Sequence, residues 1–310
     1  MGPFRSEILR LLDGSGMYWE ASGNPKGKPA LYLHGGPGSG LQTGHRQLFD
    51  PERYLLVSFD QRGCGRSRPL VTDSDDYLAS NTTQALIADI EQLREHLSIE
   101  RWLVAGVSWG TTLALAYAQA HPDRVSEIAL AAVTNTSRSE VTWITETIGC
   151  IFPEAWSEFE QMAKRKAGQS VIDAYYQLIR DPDRRTRELA AEAWCKWEDI
   201  HVSLNPQAKP NARFADPNFR MILTTLVTHY WANAAFLEGK EIIHNMNRIA
   251  HLPGVLIHGR LDVSSPLQTA WQLHQRWNKS RLIVVETEGH GGTVMWNEFT
   301  KAVGSFDDHR

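Results

Sequence analysis

The pentapeptide Gly106-Val107-Ser108-Trp109-Gly110 sets a serine among glycines, between an apolar run and an alanine-rich stretch. A serine hydroxyl is a weak nucleophile at neutral pH. Chemistry at Ser108 therefore requires a base within hydrogen-bond reach and a third group that holds the base in one tautomer. The glycines suit a sharp strand-to-helix turn, where larger side chains would collide with neighbouring backbone. Two later turns supply the partners. Asp262 lies in His258-Gly259-Arg260-Leu261-Asp262, just past the apolar run Gly254 to Ile257, and His290 lies in Glu288-Gly289-His290-Gly291-Gly292, just past Arg281 to Glu286. The catalytic candidates are Ser108 as nucleophile, His290 as general base and Asp262 as the acid that orients it. Among the twelve histidines His258 and His251 compete with His290, and Glu286 and Glu288 compete with Asp262.

Acyl transfer also needs donors aimed at the oxyanion of the tetrahedral intermediate. His34-Gly35-Gly36-Pro37-Gly38 is a glycine-rich turn after an apolar run, and the amides of Gly36 and Trp109 are the oxyanion candidates. A second turn, Asp60-Gln61-Arg62-Gly63-Cys64-Gly65-Arg66-Ser67, carries charges that could meet a substrate carboxylate, but an internal Asp-to-Arg network holding the turn is the simpler reading.

These turns must be held by regular elements. Ala30 to His34, Tyr54 to Asp60, Trp102 to Val107, Ile128 to Val133, Gly254 to His258 and Arg281 to Glu286 are short apolar runs suited to buried parallel strands. Thr83 to His96 has apolar residues on one helical face, and Thr111 to Ala120 reads as a second helix. Alternation of strand and helix predicts a mostly parallel, doubly wound sheet, and the order Ser, Asp, His is that of the α/β-hydrolase fold. From about Thr136 to Asn247 the texture changes to Trp, Glu, Arg and Ala at helical spacing, as in Val171 to Ile179 and Thr186 to Trp197. The expected organisation is a core of residues 1–135 and 248–310 with a helical cap of residues 136–247 over the strand ends.

The formal net charge of −4 over 310 residues argues against nucleic acid or an anionic membrane as partner. No run reaches membrane-span length, which predicts a soluble, cytoplasmic protein, monomeric or a small homo-oligomer. Cys64, Cys150 and Cys195 are too few and scattered for a disulfide framework or a zinc site, so no metal is expected.

HGGPG (34 to 38), DQRGCGRS (60 to 67), GVSWGTTLALAYAQAHP (106 to 122) and HGRLD (258 to 262) together resemble the proline iminopeptidases. The resemblance runs through both ends of the core and parts of the cap. It implies a cofactor-free exopeptidase that releases N-terminal proline. It also implies that an acidic residue in a W-x-x-W-E segment binds the substrate amine, matched here by Trp194-Cys195-Lys196-Trp197-Glu198. A carboxylate beside tryptophans can pair with an ammonium while the rings shape an apolar pocket. Glu198, Trp197, Gly35 and Tyr230 are the candidate substrate-binding residues. The family's second glutamate, before a His-Tyr pair, is replaced by Val227 ahead of His229-Tyr230, and Glu146, Glu154 or Glu238 could compensate. Two further departures are Val107 for a glycine and Leu261 for an aromatic residue. The readings that follow are an aminopeptidase for short peptides or prolyl amides, an esterase or amide hydrolase of a small metabolite, and a non-enzymatic binding protein on a hydrolase core.

Overall fold

A computed structural model describes residues 2–202, 204 and 209–306. The strands are β1 (Arg5–Arg10), β2 (Gly16–Gly23), β3 (Lys28–Leu33), β4 (Tyr54–Phe59), β5 (Trp102–Val107), β6 (Val125–Ala131), β7 (Gly254–Gly259) and β8 (Ser280–Val285). They form one sheet in the order β1-β2-β4-β3-β5-β6-β7-β8. β3 to β8 run parallel, while β1 and β2 add an antiparallel edge. The parallel part matches the expected strands; the antiparallel edge was not among them.

Period-two alternation explains how the sheet is covered on both faces. Leu31, Leu33, Val104 and Leu130 point to one side, where they pack with Leu86, Ile90 and Leu93 of helix α2 (Thr83–His96) and Leu113 and Tyr117 of helix α3 (Trp109–Ala120). Ala30, Tyr32, Leu103 and Ala129 point to the other, against Met295, Phe299 and Val303 of the C-terminal helix Thr293–Ser305. α2 starts where the Thr82 hydroxyl accepts the Ala85 N–H, an N-cap contribution of about 1 kcal/mol.

Among the described residues the chain between β6 and β7 contains only helices. They include α4 (Arg138–Thr145), α5 (Pro153–Ala163), α6 (Val171–Leu178), α7 (Arg184–Val202) and α8 (Pro217–Ala232), α1 being Asp75–Ser80 near the start of the chain. Their own apolar cluster joins Phe159, Tyr175, Trp194, Trp197, Leu223 and Val227. The opposite face of α8 belongs to the sheet-side core through Leu226 and Tyr230, so one helix ties the two clusters together. The Tyr230 hydroxyl donates to Asn81 Oδ1 at 2.6 Å, and the His229 ring donates from Nε2 to the Asn81 carbonyl at 2.9 Å.

Candidate active site

Ser108 sits between β5 and α3 at φ 55° and ψ −127°, a left-handed conformation that costs a non-glycine residue about 1–3 kcal/mol and persists only where its surroundings enforce it. The glycines explain how. A Cβ at Gly106 would lie 2.3 Å from the Gly110 carbonyl oxygen, and one at Gly110 would lie 2.1 Å from that of Leu33. Strand, turn and helix therefore close on each other only without side chains there. The Trp109 amide, at the first position of α3, has no intrahelical partner and lies beside the nucleophile, while the Thr111 N–H is already taken by the Ser108 carbonyl at 2.7 Å.

The partners arrive from two other strand ends. His290 Nδ1 lies 2.8 Å from Asp262 Oδ2, and His290 Nε2 lies 3.0 Å from Ser108 Oγ. A carboxylate only accepts, so the imidazole donates from Nδ1 and leaves Nε2 free to accept the serine proton. Asp262 is held in turn by the Ser265 N–H at 2.9 Å on Oδ1. Burial pushes its carboxyl up, but the charge and hydrogen bond of His290 outweigh this and hold it below the ordinary carboxylate range. Burial pushes His290 down, yet Asp262 and the nearby Glu198 carboxylate leave it above the ordinary imidazole value.

The rival residues are occupied elsewhere. His258 is fully buried in β7: its Nδ1 accepts the Val133 N–H at 3.0 Å and its Nε2 donates to the Ser265 carbonyl at 2.6 Å. His251 is exposed, Glu286 pairs with Arg260 on the surface, and Glu288 receives the Val294 and Met295 N–H groups of the C-terminal helix. Cys64 is buried and its thiol is pushed well up by desolvation, which makes it inert.

Gly35 lies against the serine, where a Cβ would come within 3.1 Å of Ser108 Cβ. Gly36 and Trp109 line a small chamber, of about 70 Å³, at Ser108. The loop of residues 34–38 is braced by the neighbouring turn: Gln61 Nε2 donates to the His34 carbonyl at 2.9 Å, Gln61 Oε1 accepts the Trp109 indole N–H at 2.9 Å, and the Gln61 N–H reaches His34 Nε2 at 3.1 Å. Asp60 accepts the Leu41 N–H and the Arg66 side chain, while Arg62 pairs with buried Asp89 and with Asp13. The charges of this turn are thus internal.

The chamber's walls include Val141, Ile144, Val202, Val227 and Trp231, with Glu198, Glu140 and His201 among its polar members. Burial raises Glu198 to about 7, partly opposed by His290. The His201 ring is pushed down to about 3 and is neutral, with Nδ1 2.8 Å from Ser264 Oγ. Glu140 is already fully engaged by the Thr134 hydroxyl and the Asn135 and Thr136 N–H groups on Oε2, and by the Thr269 hydroxyl on Oε1.

Two expected binding residues do not reach the chamber. The Trp197 ring is 2% exposed, stacks on Phe159 and donates its N–H to the Ile144 carbonyl. Successive residues on a helix point about 100° apart, so Trp197 faces inward when Glu198 faces the site. Tyr230 lies one layer behind, its ring 4.7 Å from that of Trp109. Nor do the proposed substitutes for a second glutamate line it: Glu146 pairs with Arg165, Glu238 pairs with Arg138, and Glu154 is exposed. Spacing from Glu198 could have found His201 and Val202 at i+3 and i+4, and Ser137-x-x-Glu140 is a capping-box pattern that marks Glu140. Among the described residues no group of three or more His, Cys, Asp or Glu side chains is placed to hold a metal, and no helix is long and apolar enough to cross a membrane.

A parallel sheet whose serine elbow meets a histidine and an aspartate from later strand ends defines an α/β-hydrolase, and residues 28–293 match the α/β-hydrolase fold family. A probable proline iminopeptidase of Streptomyces coelicolor is 44% identical over 96% of this chain and 93% of its own, and a proline iminopeptidase of Xylella fastidiosa (strain 9a5c) is 41% identical over 93% and 91%. The crystal structure of proline iminopeptidase from Mycobacterium smegmatis superposes with a TM-score of 0.66 over 98% of this chain and 99% of that one, at 19% identity, which speaks to the fold alone. The chain belongs to the proline iminopeptidase family.

Proposed function

We infer that this protein is a cytoplasmic serine aminopeptidase that releases N-terminal proline from short peptides or prolyl amides. Ser108 attacks the prolyl carbonyl, and His290 Nε2 takes the proton and returns it to the leaving amine. Asp262 keeps the imidazole in the required tautomer, and the Gly36 and Trp109 amides hold the oxyanion. Water, activated by the same His290, then hydrolyses the acyl-enzyme. Glu198 pairs with the substrate's secondary ammonium inside the chamber. The observation that carries the reading is the unbroken chain Ser108 Oγ, His290, Asp262, opening onto an apolar chamber with a carboxylate on its wall.

A second reading is favoured by Val227, an apolar side chain lining the chamber where the resemblance implies a carboxylate. With Glu140 fully engaged, Glu198 is, among the described residues lining the chamber, the one carboxylate left to meet an amine, and an ester or amide without a free amine would also fit. Hydrolysis of prolyl-naphthylamide, its N-blocked analogue and a short-chain naphthyl ester separates the two readings. Cleavage of the free prolyl amide alone, lost by at least about a thousandfold in Ser108→Ala, is the expected result. Cleavage of the ester alone would overturn the peptidase assignment and leave the hydrolase standing.

A further inference from the structure

Two spaces of different character meet at Ser108. One is the small apolar chamber; the other is an open cleft of about 660 Å³ whose walls include Gln42, Gln47, Asp199, Asn211, Trp296 and Asn297. Both share Gly36, Ser108, Glu198 and His290. An aminopeptidase has one residue on the acyl side of the scissile bond and a chain of any length on the other. The chamber therefore takes the terminal residue and the cleft takes the leaving peptide, an assignment that rests on the aminopeptidase reading above. A cleft of this size accommodates a ligand of several residues.

The cleft's charge is one-sided. Among the described residues that line it there is no lysine or arginine, but there are two carboxylates, Glu198 and Asp199. Of its histidines, His34 and His45 are held down by burial and are neutral, and His290 is the triad base, neutral in the reactive form. The nearby Arg213 is not a lining residue; its guanidinium donates to the Ser39 carbonyl and lies 3.8 Å from the Phe219 ring centroid. Glu198 is matched by the substrate's own ammonium, which leaves Asp199 as the uncompensated group facing the leaving peptide. Asp199 is half-buried, and its Oδ1 accepts the Asn211 N–H at 2.8 Å.

We propose that Asp199 is the specificity-determining residue of the leaving-group cleft, favouring peptides whose second residue is cationic and disfavouring those whose second residue is acidic. A charge pair across a few ångströms in a partly desolvated cleft corresponds to about a tenfold difference in kcat/KM, weakened by salt.

The test compares Pro-Lys-NH2, Pro-Ala-NH2 and Pro-Glu-NH2 at low and high ionic strength, in the native protein and in Asp199→Asn. Asparagine keeps an Oδ1 for the Asn211 N–H, so the turn is preserved while the charge goes. The expected result is a Lys-over-Glu ratio of about ten that falls to within about twofold in Asp199→Asn and in high salt. The ratio is independent of how much active protein is present. Equal cleavage of the three amides, or a preference that survives Asp199→Asn, overturns the proposal alone. Failure to cleave any of them overturns the aminopeptidase reading and this inference with it.

Discussion

At Glu198 one carboxylate has two neighbours with opposite demands. The substrate ammonium needs it ionised, while desolvation in the chamber lifts it to about 7. When ionised it also supports the protonated form of His290, whose ring must be neutral to accept the Ser108 proton. Since His290 stands above its ordinary value, reactivity of Ser108 is present above that pKa and lost as pH falls through it. Removing the Glu198 charge lowers the His290 pKa, so the acid limb must move to lower pH. Phosphonylation of Ser108 by an uncharged phosphonofluoridate reports this without involving the amine. In Glu198→Gln its pH midpoint is expected to drop, while kcat/KM for prolyl-naphthylamide falls by about 10- to 150-fold, equivalent to a lost charge-assisted pair of about 1.5–3 kcal/mol. An unmoved midpoint would dissociate Glu198 from the histidine.

At the scale of elements, α8 couples the helices to the sheet, and its anchor is Asn81. Tyr230→Phe removes the hydroxyl that donates to Asn81 Oδ1 and leaves that buried acceptor with no tyrosine donor, at a cost of about 1–3 kcal/mol. The melting temperature is expected to fall by a few degrees, with kcat/KM for prolyl amides reduced more than the rate of Ser108 phosphonylation, because the anchored helix carries Val227 and Trp231 of the chamber wall. Equal reductions in both rates would place the effect on the serine itself. The same elements show what a sequence discloses. The β5–Ser108–α3 turn was legible because its glycines answer to contacts within a few residues and to the adjacent Leu33 carbonyl. The edge strand β1 was not, because Arg5–Arg10 is largely exposed and becomes a strand only through pairing with β2. Trp197 was misplaced for a similar reason. An aromatic residue on a helix serves equally as core or as pocket wall, and only the packing of Phe159 on its ring decides which.

For the whole molecule, a chamber that raises a carboxyl to about 7 must cost stability when that carboxyl is ionised. The sign follows from linkage. With an ordinary value of 4.5, Glu198 in the unfolded chain ionises first as pH rises. The folded state therefore loses stability progressively between pH 4.5 and about 7, and the full loss persists above. Allowing for its partial exposure, the loss is about 2–3 kcal/mol. The buried histidines act in the other direction. His201 and His229 are pushed down by desolvation to about 3 and about 4, so their contribution is complete above the ordinary value of 6.5 and is lost as pH falls below it. Between pH 7 and 5 the contributions of Glu198 and of these two histidines therefore oppose each other. Glu198→Gln removes the Glu198 contribution alone. Denaturant unfolding should find the variant about 2–3 kcal/mol more stable than the native protein at pH 8, with the advantage shrinking through pH 6 and absent below about pH 4.5. The same variant should be the poorer catalyst, since the strained carboxylate is the group that meets the substrate amine. A variant no more stable at pH 8 would show that Glu198 is ionised there at no cost to the fold.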